Sequence, residues 1–215
     1  NDRYAAELAG KLLNASDELS SKAIASDLFK AVITGDPIQG RPVYQQPIEI
    51  RSQAQCVFAT NILPGFAGGM DRGVTRRLLP IEFNRTIPLA DRVEKIGERI
   101  ASEEADLLLA WAVDGASRVF EQRGFTEPDS SKGLLEEWIY TVDPVAAWLR
   151  ERTSSVLPGA CPDLRTAVAF KDFAAWADEN GYRNADRLPS INGFTQRVKA
   201  TGVGTKRKSD GGYFI

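Results

Sequence analysis

The sequence predicts an α/β fold in which helices flank a mainly parallel sheet, followed by a helical region and a small C-terminal module. Helix and strand patterns alternate over residues 1–86, and that order is typical of parallel sheets covered on both faces. Two apolar strand-like segments in this part end in polar side chains, at residues 11–18 and 57–61. In open α/β sheets the carboxyl ends of parallel strands are where ligands bind.

Each element of the first part has a local signal. Gly35-Asp36-Pro37 ends the first long helix because glycine and proline interrupt helices. Pro80 lies inside the last predicted strand and places it at an edge, since proline cannot donate to a strand ladder. The predicted elements are a strand at 12–15, a helix at 24–33, a hairpin of 43–44 with 48–51, a strand at 55–60 and a strand at 78–83.

Residues 88–215 are predicted to be mainly helical. Their elements are helices at 91–101 and 105–120, a loop at 127–133, a helix at 144–152, an extended segment at 167–170, helices at 171–180 and 190–200, and a hairpin turning at Asp210-Gly211. The order from residue 144 is that of a winged helix-turn-helix. We therefore predict three domains: a core at 1–87, a helical lid at 88–140 and a winged-helix domain at 141–215.

Composition excludes several classes of function. The 215 residues include no histidine, which excludes histidine acid–base chemistry and the usual zinc sites. Cys56 and Cys161 lie in unlike contexts and are predicted to be unpaired, which fits a reducing compartment. No apolar run approaches the ~20 residues that span a bilayer, and no signal peptide opens the chain. The sequence predicts a soluble, cytoplasmic protein.

Asp17 and Glu18 follow the first apolar strand and are candidates for phosphoryl chemistry. Asp17 would hold Mg²⁺ through water, and Glu18 would orient and deprotonate an attacking water. The alternative is an acidic helix N-terminus favoured by the helix dipole.

Asn61, Arg76 and Arg77 complete the candidate catalytic set. Asn61 would bind the attacking water or a γ-phosphate, whereas a turn residue is the alternative. Arg76 or Arg77 would supply an arginine finger that stabilises transition-state charge. Their alternative is two solvated surface arginines. The order and spacing of all five residues favour the catalytic interpretation.

With its motifs in this order, the sequence resembles the C-terminal part of phage- and plasmid-type primase–helicases. These are a branch of the superfamily-three helicases within the AAA+ ATPases. The resemblance rests on residues 10–19 (Walker B-like), 29–30, 34–38, 58–64 (sensor-like), 76–83, 108–115 and 143–145. It implies a partial AAA+-like sheet of strand order 5-1-4-3-2, with ATP and Mg²⁺ as cofactors.

The resemblance also implies an assembly and its partners. The finger would reach the nucleotide of a neighbouring subunit in a hexameric ring around single-stranded DNA. Lys30 and Arg41 match basic positions that lead to a DNA-contacting hairpin in the ring's channel. The resemblance leaves open whether a primase domain lies upstream, and it implies a bacterial cell with a phage or mobile element as the source.

One departure from the family is the absence of a phosphate-binding loop. The pattern G-x-x-x-x-G-K-[ST] should precede the first acidic strand, but it occurs nowhere in the 215 residues. We therefore expect the chain to be a fragment of a longer polypeptide and inactive towards ATP by itself.

The C-terminal module carries a second set of candidates. Residues 187–208 include six basic residues and no acidic one, which favours a polyanionic partner. DNA contact is predicted through Arg197 and Lys199 on the recognition helix and through Lys206, Arg207 and Lys208 on the wing. The alternative for the whole chain is a non-enzymatic DNA-binding, replication-initiation or partner-binding module with an AAA+-like shell.

Overall fold

The computed structural model describes residues 5–20, 22–42, 44–153, 164–182 and 188–203, together with the backbone of 206–207 and 213–214. The protein is mixed α/β, as predicted. It divides into two compact units, one formed by Asn1–Leu78 with Leu135–Ile215 and the other by Leu79–Leu134. The predicted three-domain division stays a prediction.

The first unit contains a parallel pair of strands. Strand β1 (Leu13–Ser16) pairs in parallel with β4 (Gln55–Phe58), the fourth strand along the chain. The register runs from Leu13↔Gln55 to Ser16↔Phe58. The two strands predicted at 12–15 and 55–60 are thus confirmed as parallel neighbours. Leu13 and Val57 remain exposed, so the described residues cover neither side chain.

Between these strands the chain forms a helix and a hairpin. Helix α1 (Ser26–Thr34) ends at Gly35, whose φ of 69° places it in the left-handed region that glycine adopts readily. Strand β2 (Pro37–Gly40) then pairs antiparallel with β3 (Ile48–Arg51). The second strand of the predicted hairpin is confirmed, but the first lies earlier in the chain than predicted. There Ile38 pairs with Ile50, and both are buried against Ala5, Ala31 and Val32.

A loop and a short helix follow β4. Backbone of the loop bridges to the segment after β1 at Ile24↔Phe66, and helix α2 (Arg72–Thr75) begins with Asp71 as its N-cap. The prediction of a strand at 78–83 was wrong, because these residues adopt no regular secondary structure. Pro80 lacks an N–H, and the exposed Ile81 and Phe83 have no strand beside them among the described residues.

The second unit is helical. A short 3₁₀ helix (Leu89–Asp91) precedes helices α3 (Ile96–Glu103) and α4 (Ala105–Gln122), which pack against each other. Helix α5 (Asp129–Val142) begins where a loop was predicted. Its Pro128 and Asp129 suit a helix start, since proline tolerates the first turn and an acid there interacts favourably with the helix dipole.

From Leu135 the chain belongs to the first unit again. The indole N–H of Trp138 donates to the carbonyl of Pro64 at 2.9 Å, and Trp138 packs with the buried Phe66, Met70 and Val74. This contact ties the end of α5 to the loop that follows β4.

Three helices and a hairpin complete the first unit. They are α6 (Pro144–Arg152), α7 (Thr166–Glu179), α8 (Ile191–Ala200) and the antiparallel pair β5 (Lys206–Arg207) and β6 (Tyr213–Phe214). The prediction of an extended segment at 167–170 was wrong, because these residues belong to helix α7. Ala169, Phe173, Trp176 and Ala177 form one buried face at helical spacing, so α7 is continuous.

The core of these three helices is aromatic. Phe194 is fully buried between Trp148, Phe170 and Phe173, with ring centroids 5.1–5.5 Å apart. The predicted start of α8 is confirmed, since the Ser190 hydroxyl accepts a hydrogen bond from the Gly193 N–H at 3.3 Å. Among the described residues, no helix combines the length and the apolar character needed to cross a membrane.

Candidate functional site

The candidate site begins at the carboxyl ends of β1 and β4. The chain segments that leave the two strands stay side by side, because the Leu19 N–H donates to the Ala59 carbonyl at 3.2 Å and the Ile24 N–H donates to the Gly65 carbonyl at 2.9 Å. Asn61 lies on the second segment between these two contacts. Asp17 and Glu18 therefore share one edge of the sheet with Asn61.

Asp17 and Glu18 are both exposed at this edge. A local turn holds their backbone, in which the Ser16 hydroxyl donates to the Glu18 carbonyl at 2.9 Å and accepts from the Glu18 N–H at 3.4 Å. Neither carboxylate forms an ion pair with another described residue. They are thus accessible to a hydrated cation or to a water molecule.

Asn61 is likewise exposed. The preceding Thr60 hydroxyl donates to the Ile62 carbonyl at 2.6 Å and accepts from the Ile62 N–H at 3.2 Å, so the turn that presents Asn61 is closed by its neighbour. The amide of Asn61 is not needed for that turn. It remains accessible for a ligand.

The two adjacent arginines differ in their surroundings. Arg77 is half-buried, its guanidinium donates to the Gly73 carbonyl at 2.5 Å, and its Nε is buried without a hydrogen-bond partner in the described structure. Arg76 is exposed at the end of α2. An arginine that must reach another subunit has to extend into solvent, and Arg76 meets that requirement better than Arg77.

Lys30 has a structural partner. Its ammonium lies 2.7 Å from the Asp71 carboxylate, and this pair joins α1 to the N-terminus of α2. Asp71 also accepts a hydrogen bond from the Val74 N–H at 2.8 Å. The predicted DNA contact of Lys30 stays a prediction, but the ion pair restrains that side chain. Arg41 is exposed and begins the loop of the β2–β3 hairpin.

The Asp71 carboxyl has a lowered pKa. Burial by itself raises the pKa, but the hydrogen bond and charge of Lys30, together with the N–H groups of Val74 and Gly73, lower it below the ordinary 3.8. A carboxyl whose pKa is lower in the folded than in the unfolded protein stabilises the fold above its unfolded pKa. That contribution is lost as the pH falls through the folded pKa.

We therefore expect Asp71→Asn to remove part of the acid sensitivity of stability. Asparagine still caps α2, so the variant removes the charge of Asp71 and spares the cap. At neutral pH it should cost less than about 1 kcal/mol, because the Asp71 side chain is 41% exposed. Denaturant unfolding at pH 7 and at successively lower pH measures the effect. Asp129→Asn, in the exposed pair with Lys132, is the control; equal pH profiles for both variants would contradict the assignment.

Arg197 is held mostly inside the protein by an ion pair, and its predicted contact with DNA stays a prediction. Its guanidinium lies 3.4 Å from the Asp143 carboxylate, and the two side chains are 20% and 8% exposed. Asp143 also caps α6 by accepting from the Val145 N–H at 3.0 Å. Phe194 and Val198 are buried on the same side of α8. This side of the helix therefore packs inwards.

The exposed side of α8 carries Asn192, Gln196 and Lys199. These positions are four and three residues apart, so they share one helix face. Lys206 and Arg207 lie in β5, where the structure describes the backbone alone, and Lys208 lies outside the described residues. Their predicted contacts with DNA stay predictions.

The carboxylates at the sheet edge are the predicted metal ligands. The described residues contain no group of three or more Cys, Asp or Glu side chains placed to hold a metal ion. Mg²⁺ commonly uses one or two protein carboxylates together with phosphate oxygens and water. The exposed Asp17 fits that mode of binding, in which a nucleotide supplies the remaining ligands.

Two acids with clear structural roles were missed by the sequence interpretation. Asp71 and Asp143 each precede a helix and cap it. Their N-cap positions were detectable, because Asp before a helix is a standard start signal. Their partners Lys30 and Arg197 are 41 and 54 residues away, and a single sequence does not pair such distant charges.

The comparisons with known proteins concern the first part of the chain. Residues 1–77 match a family of unknown function, DUF5906, so this part is similar to that family. The matched segment contains both parallel strands and all five candidate catalytic residues, from Asp17 to Arg77. A search of curated proteins finds no significant match.

Proposed function

We propose that this chain is part of a ring-forming, ATP-driven DNA helicase of the primase–helicase type. The observation that carries the proposal is the shared sheet edge: Asp17 and Glu18 follow one parallel strand, and Asn61 follows its neighbour. Phosphoryl transfer needs charge neutralisation and an oriented water. Two accessible acids and an accessible amide at one edge are suited to both tasks.

In the proposed reaction each residue has a separate role. Asp17 holds the water shell of Mg²⁺, which supplies charge neutralisation when it is bound with ATP. Glu18 accepts a proton from the attacking water, and Asn61 orients that water or the γ-phosphate. Arg76 serves as the finger towards a neighbouring subunit, whereas Arg77 positions it by bracing α2 through Gly73.

Exposed apolar side chains on the parallel pair support a larger assembly around it. Leu13 and Val57 point from neighbouring strands and stay uncovered by the described residues. An isolated two-stranded sheet is marginally stable in water. Additional strands and helices of a complete ATPase core would cover these side chains, and they would carry the phosphate-binding loop that the 215 residues lack.

We expect Glu18→Gln to abolish ATP hydrolysis in the product of the complete reading frame. Removing a general base costs about 10²–10⁴-fold in rate, and glutamine preserves size, so nucleotide binding should persist. Turnover is measured by phosphate release and binding by a fluorescent ATP analogue. Glu7→Gln, at another exposed glutamate, should retain activity. Unchanged turnover in Glu18→Gln would contradict the catalytic assignment.

A second candidate function is a DNA-binding module without catalysis. It is supported by the order of three helices and a hairpin, α6, α7, α8 and β5–β6, which is compatible with a winged helix although the short strand predicted between the first two helices is helical. The exposed polar face of α8 at Asn192 and Gln196 also supports it. Under this function the product of the complete reading frame binds DNA but does not hydrolyse ATP. The assay described above therefore separates the two candidates.

A further inference from the structure

A cavity of about 360 Å³ lies among α5, α6 and α7, and its lining includes no residue of the sheet edge. Sites for small ligands commonly occupy about 300–1,000 Å³. The wall combines aromatic rings with charged side chains, which are Glu137, Tyr140, Arg150, Glu151, Trp176 and Tyr182. None of these residues belongs to the proposed catalytic set.

Aromatic rings form one side of the cavity. Trp176 and Tyr182 stack with ring centroids 5.5 Å apart and an interplanar angle of 25°. Trp176 is 3% exposed, so its position is fixed by the core. At the rim the guanidinium carbon of Arg150 lies 4.4 Å from the centre of the Tyr140 ring. An aromatic face of this cavity thus already accepts a guanidinium group, an arrangement that the ring quadrupole favours.

Carboxylates give the cavity a net negative charge. Glu151 accepts a hydrogen bond from the indole N–H of Trp176 at 2.8 Å through one oxygen. Glu137 is exposed and has no ion-pair partner among the described residues. Burial raises the pKa of the Tyr182 hydroxyl, and the negative charges of Glu151 and Asp143 raise it further. A cation entering the cavity would meet two carboxylates and one arginine.

We propose that this cavity binds the guanidinium group of an arginine side chain from a partner polypeptide. A planar guanidinium stacks on aromatic rings and donates to carboxylates in the same plane, which a compact ammonium does not reproduce. The half-buried Tyr182 ring, which the buried Trp176 supports from behind, supplies the aromatic surface, and Glu137 and Glu151 supply the acceptors. A phosphate or carboxylate ligand would instead be repelled by these acids.

The test measures binding by the indole N–H resonance of Trp176, which is assigned by its loss in Trp176→Phe. The probes are N-acetyl-arginine methylamide, its uncharged citrulline counterpart and a short peptide with one central arginine. A saturable shift of this resonance is expected with both arginine probes. The citrulline compound should bind with an affinity lower by a factor of about ten or more. Equal affinity for the arginine and citrulline compounds, or no saturable shift, would overturn the proposal.

Variants separate the cavity from general surface charge. Glu151→Gln keeps an oxygen that can accept from Trp176, so it removes charge with little disturbance of packing. Glu151→Gln and Glu137→Gln should each weaken arginine binding several-fold. Glu136→Gln alters the adjacent exposed residue of α5, which does not line the cavity, and should bind as the unaltered protein does. Equal weakening by all three variants would show non-specific attraction and refute the site.

The two arginine probes identify the source of the arginine. Stronger binding of the peptide than of the single amino acid would assign the source to a polypeptide, while stronger binding of the single amino acid would refute that source.

Discussion

Phe194→Ala should destabilise the first unit by about 3–5 kcal/mol, which is the range for removing a buried phenylalanine. Phe194 is fully buried and contacts three other rings, on Trp148, Phe170 and Phe173. Close aromatic pairs add to the value of the buried area. Because whole domains are stable by about 5–15 kcal/mol, this one change removes a large share of the stability.

The measurement is denaturant unfolding followed by tryptophan fluorescence, since Trp148 and Trp176 lie in the same cluster. Ile191→Ala on the same helix is the control. Ile191 is 41% exposed, and its loss should cost less than about 1 kcal/mol. Equal effects of the two variants would contradict the aromatic cluster as the core of α6, α7 and α8.

Asp143→Ala should produce the second-largest loss of stability. The change removes the cap of α6, worth about 1 kcal/mol. It also leaves the mostly buried Arg197 without its carboxylate, and breaking a buried pair from one side costs about 3–5 kcal/mol. Since Arg197 is 20% exposed and can regain some water, we expect a total near the lower end of that range.

A double-mutant cycle isolates the ion pair from the cap. Arg197→Met should cost less than Asp143→Ala, and the double variant should be more stable than the sum of the single effects predicts. Glu179→Ala breaks the exposed pair with Arg152 on neighbouring helices and is expected to cost less than about 1 kcal/mol. Strict additivity of Asp143→Ala and Arg197→Met would contradict the coupling.

Gly69, in the loop that follows β4, packs directly against Asp143 and Arg197. A Cβ atom on Gly69 would come within 2.5 Å of an Asp143 carboxylate oxygen and 3.3 Å of the Arg197 Nε. Its φ of 92° is also one that other residues rarely adopt. The loop after β4, the start of α6 and the inner side of α8 therefore meet at one tightly packed point.

Local signals predicted several elements well. Gly35 ended α1, Pro144 began α6 and Ser190 capped α8, each through backbone geometry or one nearby hydrogen bond. Such signals act within a few residues, so a single sequence contains them in full. The apolar runs of β1 and β4 were recognised for the same reason, and their parallel pairing followed from the expected α/β order.

Elements that depend on distant partners were predicted less well. The hairpin was shifted because the buried partners Ile38 and Ile50 are identified by what covers them, not by their immediate neighbours. The Pro/Asp/Ser-rich stretch 127–133, which includes the start of α5, was predicted as a loop, although the same residues also suit a helix start. Residues 78–83 have strand-like composition, but a strand requires a pairing partner.

The candidate site shows the same division. The sequence alone determined which residue types follow each strand, and hence that Asp17, Glu18 and Asn61 are chemically suited to phosphoryl transfer. Tertiary structure decided that their chain segments share one edge, that Arg76 is exposed whereas Arg77 is braced, and that Lys30 and Arg197 are engaged by acids. The reason is physical: chemical identity and local hydrogen bonding are properties of neighbouring residues, whereas burial and ion pairing arise when distant parts of the chain pack together.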